Sequence, residues 1–349
     1  MSLLEKISTT EKKELVKTWL LLLKSGEPVN DTFDTMAKQT NSPYLKKTLE
    51  EVKERTQKGT SIYRVFEDDP KFEKIFSSFV RSGEESGTLE ESLNNLTDWL
   101  SRKERLEKEI SSATLYPKII FSFAILLGGG LTYFVLPRLT PIFDALNVEL
   151  PLISRILLSF SNFIQDYGLH VIVGLVAFVI FLYLLRKITI VKEALDRWIL
   201  KVPIIGDLVQ LYYLTIIFQI ISTLFGSGLN ILKILDITIA SVSNSAYKKS
   251  LLEAKEKVKK GNSFSSALSK YPNLYPSLYI NIITTGEKTG SFTESFEHIA
   301  DHSATSIKEK SEKIPVILEP VVLIIVGLFV GFITAAILLP VYQVTQGLY

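Results

Sequence analysis

SGEESGTLEESL at Ser82–Leu93 returns as TGEKTGSFTESF at Thr285–Phe296, 203 residues later. The register extends well beyond these twelve positions. At the same offset Pro117 matches Pro320 and Pro137 matches Pro340, and after a one-residue slip the Ser25–Gly26 pair matches Ser227–Gly228. Between them KGTSIYRVFEDDP (Lys58–Pro70) pairs with KGNSFSSALSKYP (Lys260–Pro272). A self-similarity of this length marks a duplication, in which each copy ends in an apolar segment that a proline opens.

Within the copies the apolar period is helical. Leu15, Trp19, Leu22 and Leu23 share one face, Ser8 and Glu11 form a capping box ahead of them, and no strand-like alternation bounded by hairpin turns is present. The expectation is an all-α membrane protein with two duplicated cytoplasmic helical bundles of about 100 residues each and three transmembrane helices. The repeated motif reads as a helix corner. Gly87 and Gly290 close one helix in the left-handed conformation, while Thr88 with Glu91, and Ser291 with Glu294, open the next. Gly83 and Gly286 complete the motif, and Glu84 and Glu287 lie a turn ahead of the corner, where an internal or interdomain ion pair is expected.

With 47% hydrophobic and 22% charged residues the chain is too polar to be membrane throughout, so its apolar residues must cluster. Three uncharged runs, at 119–136, 169–185 and 321–339, have about the length of a helix that crosses ~30 Å of hydrocarbon. Basic residues gather before the first run (Arg102, Lys103, Arg105, Lys108, Lys118), after the second (Arg186, Lys187, Lys192, Arg197, Lys201) and before the third (Lys308, Lys310, Lys313). Basic residues are retained on the cytoplasmic side, so both large polar segments and the amino terminus belong inside. The resulting organisation is a first bundle at 1–116, a span at 117–137 and an extracytoplasmic linker at 138–168. A span at 169–186, a second bundle at 187–315, a span at 316–340 and an outer tail at 341–349 follow. Pro117 and Pro320 are expected in the first turn of their spans, and Pro137 and Pro340 at their ends. Glu319 sits at the cytoplasmic side of the last span, where a charge near hydrocarbon calls for a partner or for water. Gly327 and Gly331 form GxxxG, and Gly128–Gly130 a second flat face, both suited to close helix packing within or between protomers.

The composition also excludes much. There is no cysteine, which removes disulfides, thiolate metal sites and cysteine nucleophiles. The 39 basic and 37 acidic residues are interspersed, so no basic face points to nucleic acid. His298 and His302 stand four apart without the glutamate of a zinc-protease motif, and a solvated helix face is expected there rather than a metal. No phosphate-binding loop, nucleophile elbow or dinucleotide fingerprint occurs, so no catalytic residue or cofactor is expected. The first residues carry no basic segment followed by an apolar stretch of the signal-peptide kind.

Taken together, the duplicated corner and the proline-led spans make the chain resemble the type II secretion F-domain family, which supplies inner-membrane platform proteins to type II secretion systems, type IV pili and competence pseudopili. KVPIIGDL at Lys201–Leu208, with Pro203 and Gly206, resembles the family's opening of its second domain. LPLISRILLSFSNFI at Leu150–Ile164 is similar to its linker, and LEPVVLIIVGLFVGFITAAILLP at Leu318–Pro340 to its closing span. The resemblance implies a non-enzymatic platform in the bacterial inner membrane, with its carboxy terminus outside. Its implied partners are a cytoplasmic hexameric assembly ATPase, pilin or pseudopilin subunits, other inner-membrane assembly components and further copies of itself. A duplicated transporter or channel subunit is the alternative from another class, but the three runs offer few polar groups near the midplane beyond Thr132, Tyr133, Tyr183 and Thr334.

Overall fold

The computed structural model describes residues 7–130, 134, 141, 152–185 and 188–346. Every regular element among the described residues is a helix, with no strand among them. Six helices form a first series: α1 (Thr9–Lys24), α2 (Val29–Gln39), α3 (Pro43–Gln57), α4 (Ile62–Asp68), α5 (Lys74–Ser86) and α6 (Leu89–Gly130). Next come α7 (Leu152–Leu185) and α8 (Thr189–Ile199). The final six are α9 (Ile205–Gly226), α10 (Ile231–Ser241), α11 (Ser245–Lys259), α12 (Phe264–Leu268), α13 (Ser277–Thr289) and α14 (Phe292–Gln346).

Local chemistry sets many of these boundaries. Ser8 caps α1 with both halves of its capping box in place, Ser42 accepts from the Leu45 N–H ahead of Pro43, and Asn230 and Asn244 cap α10 and α11. The left-handed glycines fall in pairs, one in each series: Gly26 with Gly228, Gly59 with Gly261 and Gly87 with Gly290.

The chain divides into two compact units. One comprises the residues to Glu109 together with Glu193–Lys308; the other comprises 110–192 and 309–349. In the first unit the cores are aromatic. Trp19 packs on Phe33 and Phe66 at ring separations of 5.1 and 6.1 Å, and Phe66, Phe72 and Phe76 lie within 5 Å of one another. In the later series Phe296 stacks on Phe218 at 5.8 Å, and Tyr275 meets Tyr247 edge-on at 5.7 Å. Burial raises the hydroxyl pKa of Tyr247 and Tyr275 well above that of a free tyrosine.

Among the described residues two helices are long and apolar enough to cross a membrane, α9 and the Phe292–Ala336 part of α14. They differ in surroundings. The apolar window of α9 is 61% buried, so α9 is the core helix of its series, whereas that of α14 is wholly uncovered. The run at 321–339 lies in α14, and the run at 169–185 lies in α7, which begins seventeen residues earlier, inside the expected linker. The run at 119–136 lies in α6 as far as Gly130; beyond that only Phe134 is among the described residues.

The prolines depart from expectation. Pro117 lies deep within the 42 residues of α6, and Pro320 and Pro340 lie within the 55 residues of α14. None of the three begins or ends a helix. A proline removes one backbone hydrogen bond and costs about 3 kcal/mol, which many turns on either side can absorb. Pro137 is outside the described residues.

A charge network ties α1, α5 and α6. Glu104 is almost fully buried and accepts from Thr10 Oγ1 at 2.7 Å, Lys13 Nζ at 2.5 Å and Lys108 Nζ at 2.8 Å. Lys108, then Lys13 and Thr10, hold its carboxyl at a pKa of about 2. Beside it Lys12 and Lys103 bind Glu73 at 2.8 and 2.6 Å. Burial pushes the Glu73 carboxyl up, but the two ammonium groups outweigh it and its pKa is lowered.

A depressed carboxylate contributes stability above its unfolded pKa and loses that contribution as pH falls through the folded value. The stability difference between the wild type and Glu104→Gln should therefore be fully present near neutrality. It should fade between the ordinary glutamate value of 4.5 and about 2, as followed by denaturant unfolding across pH. A difference independent of pH would show that Glu104 acts through packing alone.

Candidate functional site

Each copy of the motif builds a corner between two helices. α5 ends at Gly87 (φ 72°) and α13 at Gly290 (φ 78°), the left-handed closure that glycine takes without a Cβ penalty. The next helix starts two residues later, at Leu89 and Phe292. Glu91 and Glu294 occupy its first turn, where acidic side chains complement the helix dipole. The Thr88 and Ser291 hydroxyls lie 2.6 Å from Ser86 Oγ and Thr289 Oγ1, so each corner also carries a hydroxyl pair across the glycine.

Gly83 and Gly286 have a separate role. A Cβ on Gly83 would stand 2.7 Å from the Leu89 Cα and 2.8 Å from the Ser92 Cβ; one on Gly286 would stand 2.8 Å from the Ser295 Cβ. The helix before the corner thus touches the helix after it, with a missing side chain facing a small one. Ser92 and Ser295 are partners that the motif reading missed. Their signal was available in the sequence, because they sit at the same offset of nine residues from their glycines.

The expectation of ion pairs for Glu84 and Glu287 is corrected by the hydrogen bonds they make. Glu84 accepts from the Ile62 N–H at 3.0 Å and the Tyr63 N–H at 3.1 Å, the first amides of α4. Glu287 accepts from the Phe264 N–H at 2.6 Å, the Ser265 N–H at 3.3 Å and the Ser265 hydroxyl, at the start of α12. The reason is geometric. The first amides of any helix lack intrahelical partners and carry the positive end of its dipole, so a carboxylate there satisfies orphan donors without a cation. Ser61, at the N-cap of α4, makes no side-chain cap bond, and Glu84 supplies it from 22 residues away.

The two series meet inside their common unit. α5 packs against α10, and Arg102 on α6 binds Glu297 at 3.0 Å and Asp301 at 3.8 Å on α14. These exposed pairs are worth about 1 kcal/mol at most. Burial, followed by smaller effects of Tyr213, Glu107 and Glu73, raises the Tyr212 hydroxyl to about 12. A cleft of about 250 Å³ opens between α4–α5 and α10, with Tyr63, Lys74, Arg81, Lys233 and Asp236 on its walls.

The opening of α9 contains Pro203 and Gly206. Here the Ile205 N–H donates to the Pro203 carbonyl at 2.8 Å, leaving Ile204 at φ 68° and ψ −55°. A β-branched residue with positive φ is strained by roughly 1–3 kcal/mol. Gly206 lies against the preceding turn, where a Cβ would meet the Leu200 carbonyl oxygen at 2.5 Å.

Glu319 is exposed beside Pro320 on α14. Gly327 and Gly331 are exposed too, with nothing within 4 Å of a Cβ built on either, and a Cβ on Gly129 or Gly130 would likewise meet nothing within 4 Å. Among the described residues no neighbouring helix therefore packs on those glycines. His302 Nδ1 lies 3.1 Å from the Tyr279 hydroxyl, and among the described residues no group of three or more acidic, histidine or cysteine side chains could hold a metal ion.

The fold and the site define an all-helical protein whose two related corners each start a long helix with an apolar end. The sequence pattern of the type II secretion system protein F family matches the chain twice, at residues 15–137 and 217–340, and the chain belongs to that family. It is 26% identical to the type IV pilus assembly protein PilC of Pseudomonas aeruginosa over 92% of this chain and 86% of that protein. It is 26% identical to PilC of Thermus thermophilus over 93% of this chain and 80% of the other. Against the type II secretion system protein F of Vibrio cholerae it is also 26% identical, over 76% of this chain and 65% of that one.

The corner carries a direct test. Replacing Glu84 with alanine leaves two part-buried amides of α4 without an acceptor, which should cost about 2 kcal/mol in unfolding free energy. Glu84→Gln, which keeps one acceptor oxygen, should cost less than half as much by the same measurement. Equal losses would mean that charge, rather than the cap, is what the corner needs.

Proposed function

We propose that the protein is a non-enzymatic platform of the bacterial inner membrane. In this reading it couples a cytoplasmic hexameric assembly ATPase to polymerisation of pilin or pseudopilin subunits, in type IV pilus biogenesis or type II secretion. The observation that supports it best is the continuity of α6 and α14. Each starts at a corner and runs without a break into apolar sequence, for 42 and 55 residues. A helix resists bending far more than a loop does, so a tilt imposed at a corner is carried along its axis into the apolar segment. An ATPase pressing on the bundles would thereby move the surface offered to a pilin's apolar helix.

The proposed organisation has two duplicated cytoplasmic bundles, at 1–116 and 187–315, and three spans, at 117–137, 169–186 and 316–340. The basic residues flanking the apolar runs support an amino terminus inside and a carboxy terminus outside. Family membership and the relatives' names favour this platform over a duplicated transporter. Other inner-membrane assembly components and further copies of the chain are the remaining proposed partners, and neither nucleic acid nor a cofactor has a place in the mechanism.

Two experiments test the reading. The full-length protein purified in nanodiscs should retain an assembly ATPase and pilin-like subunits from its host. Recovery of neither, together with solute flux in reconstituted vesicles, would favour the transporter. The open glycine face of α14 makes the second prediction: Gly327→Leu should reduce cross-linking between copies in the membrane by severalfold while leaving the level of protein unchanged. Unaltered cross-linking would remove that face from any self-association.

A further inference from the structure

α8 is amphipathic in the reverse of the usual sense. Its buried side holds a carboxylate: Asp196 Oδ2 accepts from the Ser245 N–H at 2.8 Å, its backbone carbonyl accepts from Asn244 Nδ2 at 3.2 Å, and together they brace the start of α11. Its outer side holds hydrocarbon. Leu195 and Trp198 are 37% and 66% exposed, and the turn that follows displays Ile204 and Ile205 at 51% and 50%. All four lie within the same compact unit. Single exposed apolar residues are common on protein surfaces, but four such side chains within eleven positions, one of them tryptophan, form a patch.

The strained turn adds a second observation. Ile204 has positive φ in a three-residue hydrogen-bonded turn, yet about half of it stays exposed. Conformational strain of this kind persists only where the surrounding structure fixes it, and it clusters at functional surfaces.

We propose that Leu195, Trp198, Ile204 and Ile205 dip into the cytoplasmic leaflet and seat this part of the protein on an anionic lipid surface. The charge pattern selects lipid over a protein partner. Residues 186–201 contain five basic side chains, Arg186, Lys187, Lys192, Arg197 and Lys201, against two acidic ones. Of those two acids Asp196 is turned inward and Glu193 pairs with Arg197 at 3.2 Å. Tryptophan beside lysine and arginine is the composition of a membrane interface, where the ring sits at headgroup level and the cations meet lipid phosphate. Only seven residues separate Leu185, the end of α7, from Glu193. The chain leaving a proposed span therefore feeds directly into the patch, and the inference rests on that span.

The tryptophans provide the measurement. Trp19 and Trp99 are buried, at 0% and 2% exposure, which leaves Trp198 as the one reachable by lipid or by aqueous quencher. The full-length protein is placed in nanodiscs of phosphatidylcholine and phosphatidylglycerol, with the phosphatidylcholine brominated near the glycerol end of its acyl chain. Its emission is compared with that of Trp198→Phe in the same discs. The component lost in Trp198→Phe should be mostly quenched by the brominated lipid and protected from iodide, and Arg197→Glu with Lys201→Glu should reverse much of both effects. A Trp198 component open to iodide and insensitive to bromine, in a chain that resists carbonate extraction, overturns the patch and leaves the membrane reading standing. Extraction by carbonate overturns both. Protection from iodide that depends on protein concentration in detergent, without lipid quenching, shows that a second copy covers the surface and also overturns the proposal.

Discussion

A carboxylate held against the free amides of a short helix is the interaction on which each series depends. α4 has seven residues and α12 five, well below the length at which a helix persists unaided. Glu84 and Glu287 supply the acceptors that their first turns lack, and they do so from the helix that precedes each corner. The position of those carboxylates is set in turn by Gly83 and Gly286, whose missing side chains let that helix touch Ser92 or Ser295 on the helix beyond. The capped helix, the close crossing and the left-handed glycine thus form one assembly. It fixes the direction in which α6 and α14 leave.

The two series share this corner but are held together by different chemistry elsewhere. In the first, α1, α5 and α6 are joined by the network of Lys12, Lys13, Glu73, Lys103 and Glu104. In the second, the N-cap residue of α13 is Pro276 where α5 has Glu73, and Ile307 stands at the offset of Glu104. Its interior relies on Phe218, Tyr247, Tyr275 and Phe296 instead. A buried ionic network is sensitive to pH and to the loss of any one partner, whereas an aromatic core is sensitive to volume. The two series are thus held by different chemistry, although the corner is common to both.

Both helices that leave the corners are long. A helix that ended at Pro117 or Pro320 would place a flexible joint between the bundle and the apolar segment. In the structure α6 and α14 both continue through their prolines. Among the described residues nothing covers Gly327 and Gly331 of α14.

The amino-acid sequence by itself determined the duplication, the helical class, the left-handed glycines at the corners and the α1 capping box. All of these are set by neighbours a few residues apart, and the periodicity of apolar residues or the spacing of a motif records them directly. Other features lay outside its reach. Glu84 and Glu287 were expected to seek cations because a charge in sequence shows its sign but not its surroundings; their partners are amides more than twenty positions away. The prolines were expected at helix ends because proline's local preference points there, but a long helix can absorb the loss of one hydrogen bond. α9, apolar enough to cross a membrane, became a core helix because the series around it covers most of its surface, and α8 turned its hydrocarbon outward because Asp196 was needed at the start of α11. Which side of an apolar helix meets protein, and which meets something else, is decided by packing between distant segments, and only the tertiary structure contains that information.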